Sequence, residues 1–275
     1  MNKPLAILVD GKPLPQGQGE WPLDRGLQYG DGLFETIIVR AGHIRFEALH
    51  RQRLATGCER LRLTIPQAPL WEQAAALARQ HGAAVLKLLV TRGTALQRGY
   101  GIGGSSDCRS ILYVYAAPDS VDDPAVSIVS LNVRLGENAA LAGIKHCNRL
   151  EQVLARMELQ ATGAFEGLMS SSSGLLISGT MSNVFLDTEA GLVTPALNHC
   201  GVEGVLRAVV LRETAAMGLP IRVSDVPMTA MNDCRGLFLT NVRFGVLPAN
   251  RLNGRALAVS SQVRALAQRV AALAD

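Results

Sequence analysis

The stretch LAGIKHCNRLEQVLAR, residues 141–156, delivers one lysine, Lys145, from an apolar approach just ahead of a helical pattern. An amine partly desolvated among apolar neighbours is a nucleophile toward carbonyl carbon. The spacing is equally met by a loop lysine whose stem lies along apolar surface while its ammonium stays in water. Two further stretches hold residues suited to an anion. CGVEGVLR (200–207) puts Gly201 and Gly204 at the start of a helix expected over Val202–Met217, and free N–H groups at such a terminus favour anions. Ordinary turn chemistry accounts for two glycines as well. Arg53, in HRQRL, offers a charged arm or simply a solvated helix face.

An imine-forming lysine, a phosphate cradle and a group opposite a pyridine nitrogen are together what pyridoxal 5'-phosphate requires. The elements that would position them alternate between strand and helix. Strand-like runs at Leu5–Val9 and Leu33–Arg40 precede helices at about Ala48–Leu61 and Leu70–His81; further strands follow at 83–93 and 110–118. APDSVDDPA (117–125) carries two prolines and three aspartates and reads as a linker. Beyond it come a strand near Ser127–Leu131, then the helix after Lys145. There Leu150, Val153, Leu154, Met157 and Ala161 fall on one face. Asn148 suits its N-cap, Glu151 the capping-box acid, and Gly163 the stop. Strands at Gly167–Met169, Asn183–Asp187 and Gly236–Thr240 and a last helix at Ser260–Ala274 complete the pattern, with Ser170–Ser173 as a turn. This is α+β architecture in two parts: a smaller domain over 1–117, a linker at 118–125 and a larger domain over 126–275 that carries Lys145.

Composition narrows the functions. Hydrophobic residues at 48% against 18% charged describe a globular chain. A net charge of +4 without a basic block, and only 4% aromatics, give no case for nucleic acid. No run approaches the ~18–20 apolar residues that cross a membrane, and Leu5–Val9 is too short for a signal-peptide core, so it reads as a strand. Five scattered cysteines without Cys-x-x-Cys point to reduced, mostly buried thiols in a cytoplasmic protein, with no metal site.

Taken in order along nearly the whole chain, DRGLQYGDGLFET (24–36), His50-x-x-Arg53-Leu54, VTRG…RGY (90–100), LAGIKHCNRLEQV (141–153), SGTMSNVF (178–185), CGVEGVLR and FLTN (238–241) resemble the fold-type IV pyridoxal phosphate enzymes. That group holds the branched-chain and D-amino acid aminotransferases and the aminodeoxychorismate lyases. RGY and LAGIKHCNRLEQV are similar to the lyases in particular. The resemblance implies a D-amino acid aminotransferase-like fold with the cofactor between two domains, a homodimer, and a small-molecule substrate. It implies that Lys145 bonds the cofactor and then moves the proton. Arg53 would meet the phosphate, with backbone N–H groups at Val205, Leu206, Asn241 and Val242. Phe34, Thr36, Arg98 and Tyr100 would line the substrate side, Thr36 protonating the departing group and Arg98 clamping a carboxylate; packing explains Phe34 and Tyr100 equally well. The lyase reaction, 4-amino-4-deoxychorismate to 4-aminobenzoate and pyruvate, is the expected activity.

One position departs from the pattern. Where relatives carry a glutamate for the pyridine nitrogen, this chain has Ser178. A hydroxyl gives a neutral hydrogen bond, roughly half as strong as a charge-assisted one. That should weaken the ring as an electron sink, which burdens an aminotransferase more than a lyase whose product gains aromaticity. An aminotransferase of the same fold, or a relative that binds the cofactor without turnover, are the alternatives.

Overall fold

The computed structural model describes residues 4–14, 23–65, 67–94, 99–102, 108–117 and 125–273. The chain divides into two compact units, Met1–Asp119 with Ile144–Asn148, and Ser120–Gly143 with Arg149–Ala274.

In the first unit, strands β1 (Ala6–Val9), β2 (Lys12–Pro13), β3 (Gly32–Arg40), β4 (His43–Ile44), β5 (Ala84–Thr91) and β6 (Arg109–Ala116) form an antiparallel sheet in the order β2-β1-β6-β5-β3-β4. A short helix α1 (Arg25–Tyr29) precedes β3, while α2 (Glu47–Leu61) and α3 (Gln67–His81) pack on the sheet. The alternation in GLFETIIVR turns Leu33, Glu35, Ile37 and Val39 inward, all buried. Helix α2 closes on this lane because Gly57 has no side chain: a Cβ there would stand 2.8 Å from Leu33 Cδ1.

The second unit is built on β7 (Val126–Leu135), α4 (Leu150–Gln160), β8 (Glu166–Ser171), β9 (Leu176–Gly179), β10 (Asn183–Thr188), β11 (Gly191–Pro195), α5 (Val205–Ala216), β12 (Ile221–Ser224), β13 (Gly236–Asn241), β14 (Gly245–Leu252), β15 (Arg255–Ala256) and α6 (Ser261–Ala272). Its mixed sheet runs β12-β11-β10-β13-β14-β7-β8-β9, with β15 beside β14. Both faces are covered. Leu168 packs with Val126, Leu186, Leu237 and Leu239, whereas its neighbour Met169 packs with Leu135, Ala155, Leu159 and Ile177.

The α+β, two-part architecture matches the expectation, with local differences. Helix α5 starts three residues later than Val202, because Gly201–Glu203 is extended against Gly143: Gly143 N donates to Gly201 O at 3.0 Å and Glu203 N to Gly143 O at 2.9 Å. Helix α4 has Arg149, not Asn148, at its N-cap and no side-chain cap; Glu151 instead accepts from Gly136 N at 2.8 Å. Its apolar stripe faces outward, with Leu150 77% and Met157 64% exposed, while Ala155 and Leu159 face the core. The expected linker at 118–125 lies outside the described residues except for Ala125. Ile144–Asn148, assigned in sequence to the larger domain, lines the edge of β3: Phe34 N donates to Lys145 O at 3.0 Å and Cys147 N to Gly32 O at 2.9 Å.

Candidate active site

That edge pairing fixes Lys145 in the first unit. Buried Ile144 anchors the segment, and the half-buried Lys145 side chain brings Nζ to 4.4 Å from the centroid of the Phe34 ring. The exposed Lys87 ammonium lies 5.8 Å from the same ring. Strand alternation puts Thr36 on this face, opposite Lys87 in register. Phe34, Thr36 and Lys145 are therefore brought to one face of β3.

The other face of β3 holds Arg53. Its Nε donates to Glu35 Oε1 at 2.7 Å and its Nη2 to Oε2. His50 Nδ1 donates to Oε2 at 2.7 Å. His50 and Arg53 stand three residues apart on α2, so one helix face aims both at the carboxylate. Burial alone would raise the Glu35 carboxyl; the Arg53 charge and the hydrogen bonds from His50 and Arg53 outweigh it and hold it down at about 2.

The loop carrying Tyr100 is held by Arg25, which is 4% exposed. Its guanidinium donates to Gly99 O at 3.0 Å, Tyr100 O at 3.2 Å and Asp31 Oδ2 at 2.8 Å, and lies 4.9 Å from the Tyr29 ring centroid. Tyr29 meets Tyr100 edge-on at 5.3 Å. Tyr100 is 84% exposed apart from that ring contact. Arg98 lies outside the described residues.

In the second unit the anion features cluster at the start of α5. Gly204 is its N-cap and no side chain caps it, so the N–H groups of Val205 and Leu206 have no intrahelical acceptor. A Cβ on Gly204 would stand 2.1 Å from Asn183 Oδ1. Asn183 Nδ2 donates to Val202 O at 2.9 Å. Thr240 is the register partner of Asn183, which turns its side chain to the same face of the sheet. The Thr240 hydroxyl is buried and has no hydrogen-bond partner among the described residues. Asn241 donates through Nδ2 to Met181 O and accepts from Arg243 N, and Val242 beside it is half-buried.

Ser178 is buried, and its hydroxyl donates to Gly179 O at 2.9 Å. Glu166, 0% exposed, is taken up by Thr180 N, Thr180 Oγ1, Met181 N and Ser182 Oγ, which tie down the turn between β9 and β10. Among the described residues no group of three acidic, histidine or cysteine side chains could hold a metal, and no helix is long and apolar enough to cross a membrane. All five cysteines are free thiols, with Cys58, Cys200 and Cys234 buried; burial pushes Cys58 and Cys200 up to about 11.

Sequence reasoning gave no role to Glu35, His50, Arg25, Asn183 or Thr240, though the quoted motifs contain them. A lone acid in the apolar lane of β3 was the available signal for Glu35. Thr240 had none, since only the folded sheet shows its hydroxyl without a partner.

A two-unit fold of this topology, a lysine on the edge of β3 and an uncapped helix start define a known group: residues 32–252 match amino-transferase class IV, and the chain belongs to that family, the fold-type IV enzymes. Among its relatives is the aminodeoxychorismate lyase of Vibrio harveyi, 30% identical over 89% of this chain and 90% of that one. The crystal structure of 4-amino-4-deoxychorismate lyase from Pseudomonas aeruginosa superimposes with a TM-score of 0.90 at 38% identity, covering 96% of this chain and 97% of that one. The D-alanine aminotransferase of Bacillus licheniformis is 26% identical over 92% of this chain and 90% of its own.

Proposed function

We propose that the protein is a pyridoxal phosphate-dependent lyase that converts 4-amino-4-deoxychorismate into 4-aminobenzoate and pyruvate, a step toward folate. The observation that carries this reading is the Lys145 amine, held by backbone pairing over the Phe34 ring. The likeness to the two lyases supports the choice of reaction.

The donor set fits a phosphate ester. An uncapped helix N-terminus and a buried hydroxyl without a partner among the described residues are what an anion would satisfy. By the family resemblance, Val205, Leu206, Asn241, Val242 and Arg53 would hold the phosphate, and the Thr240 hydroxyl is a further donor for it. Lys145 would hold the cofactor covalently, with Ser178 toward the pyridine nitrogen. Bound pyridoxal phosphate supplies an electron-accepting ring that stabilises negative charge beside the substrate nitrogen.

Lys145 would take the proton from the carbon bearing the substrate amine. The electron pair left behind forms the new ring double bond as the neighbouring carbon–oxygen bond breaks. The enolpyruvyl group departs as pyruvate, with Thr36 as its proton donor, and the ring becomes aromatic. Tyr100 and Arg98 would bind the substrate, Arg98 as a bidentate partner for a carboxylate. Glu166 is engaged at its own turn by Thr180 and Ser182, and the Ser178 hydroxyl offers the ring a neutral hydrogen bond only. That favours the reaction which leans less on the ring.

The reading includes a homodimer, supported by the outward stripe of Leu150, Val153, Leu154 and Met157 on α4, and a cytoplasmic location, favoured by five free thiols. The test is to supply the pure protein with chorismate, glutamine and an aminodeoxychorismate synthase and follow 4-aminobenzoate. No 4-aminobenzoate above the synthase-only control would end the proposal. The likeness to a D-alanine aminotransferase keeps a second reading, for which a keto-acid acceptor assay is the discriminating measurement.

A further inference from the structure

Arginine presents its N–H donors in a rigid planar fork, with Nε–H and one Nη2–H along one edge and the remaining Nη hydrogens at the outer end. In Arg53 the Nε/Nη2 edge is gripped by both oxygens of Glu35. With that edge fixed, the direction of the outer end is fixed too. Glu35 is itself held: His50 donates Nδ1–H to Oε2. The His50 ring is fully buried and its Nε2 has no partner among the described residues, so its one polar bond is spent on Glu35.

Packing does not call for this arrangement. The lane on either side of position 35 is apolar, formed by the buried Leu33, Ile37 and Val39. Replacing a whole buried ion pair by apolar residues is often neutral, so the Glu35–Arg53 pair is explained by what it orients as well as by the stability it adds.

We propose that Glu35 is a positioning residue for cofactor binding: backed by His50, it grips Arg53 so that the outer end of the guanidinium meets the phosphate of pyridoxal phosphate. This rests on the reading of Arg53 as the phosphate arm. The competing expectation has the opposite sign. Glu35 also offsets the charge of Arg53, so if charge alone governed binding, Glu35→Gln would tighten the hold on an anion. Positioning requires that it loosen.

The test titrates the cofactor-free protein with pyridoxal phosphate and with pyridoxal, which lacks the phosphate, for wild type, Glu35→Gln and His50→Gln. Circular dichroism establishes that each variant is folded. The expected result is a dissociation constant for pyridoxal phosphate raised roughly tenfold or more in Glu35→Gln, the size usual for losing the partner that orients a ligating group. His50→Gln gives a smaller rise, and pyridoxal binding stays unchanged in both. A folded Glu35→Gln that binds pyridoxal phosphate as tightly as wild type, or more tightly, overturns the inference. If Glu35→Gln does not fold, unchanged affinity in His50→Gln overturns it. A wild type with no preference for pyridoxal phosphate over pyridoxal removes the phosphate role of Arg53 and this inference with it. A preference kept in full by the variants sinks this inference alone.

Discussion

The Lys145 amine stands 4.4 Å from the centre of the Phe34 ring, on the face of β3 opposite Glu35. The ring's negative face attracts an ammonium by about 0.5–2 kcal/mol, enough to hold a flexible side chain in one place. Phe34→Ala should lower kcat about tenfold at saturating cofactor by releasing that hold. Lys145→Ala should cost on the order of a thousandfold or more and abolish the visible absorbance of bound pyridoxal phosphate. Spectra and 4-aminobenzoate formation by both variants check this.

Acid should weaken the first unit through Glu35. Its carboxyl is held at about 2 against an ordinary 4.5. A depressed folded value means that the stabilisation is fully present above the unfolded value and is lost as pH falls through about 2. The interval corresponds to about 3 kcal/mol. Other carboxylates held low, such as Asp31, act in the same direction, so the informative quantity is a difference. The stability advantage of wild type over Glu35→Gln, from urea unfolding, should be largest near neutrality and shrink steadily below about pH 4.

Thr240→Val removes a hydroxyl that has no partner among the described residues and keeps the side-chain shape. Melting temperature should stay level or rise. Affinity for pyridoxal phosphate should fall roughly tenfold, the loss of one hydrogen bond to a charged acceptor. A variant that loses stability while keeping its affinity would mean that the hydroxyl serves the protein and not a ligand.

Ser178→Glu places an acid at the position where the family resemblance expects one, while Glu166 stays engaged by Thr180 and Ser182. Aminotransferase activity with a keto-acid acceptor should rise, with lyase activity changing less. A variant that gains no aminotransferase activity and loses the lyase reaction would give the electron-sink argument the wrong sign.

A charge placed in the outward stripe of α4 should disrupt a self-association that buries it. Leu154→Lys with Met157→Lys alters two exposed side chains, 53% and 64% exposed, and should convert a dimer to a monomer without unfolding it. Sedimentation equilibrium of wild type and variant decides the point.

Much of the scaffold was legible because hydrophobic period is a local signal: β3, α2, α3 and α6 stand within a few residues of where alternation and helical spacing put them. The misreadings arose where distant chain decided the outcome. Gly201–Glu203 carries a helical pattern yet pairs with Gly143, which delays α5. Glu151 had the right spacing for a capping box but found Gly136 N instead. Periodicity could identify the apolar face of α4 but not whether it turns inward. At the site, the candidate lysine and the glycines before α5 were visible as residue types. Glu35, Arg25 and Thr240 were not, because their meaning lies in partners at Arg53, at Gly99–Tyr100 and at Asn183, which only folding brings near.

The chain enters the first unit twice. Five residues, Ile144–Asn148, return to line the edge of β3 after the second unit has begun. The two halves are therefore not interchangeable modules. A chimera joined to a relative near residue 120 would carry a foreign lysine segment against the native β3, and Leu33 would face a stranger in place of His146. Recombination within this family keeps the lysine seated only if that pentapeptide travels with the strand it borders.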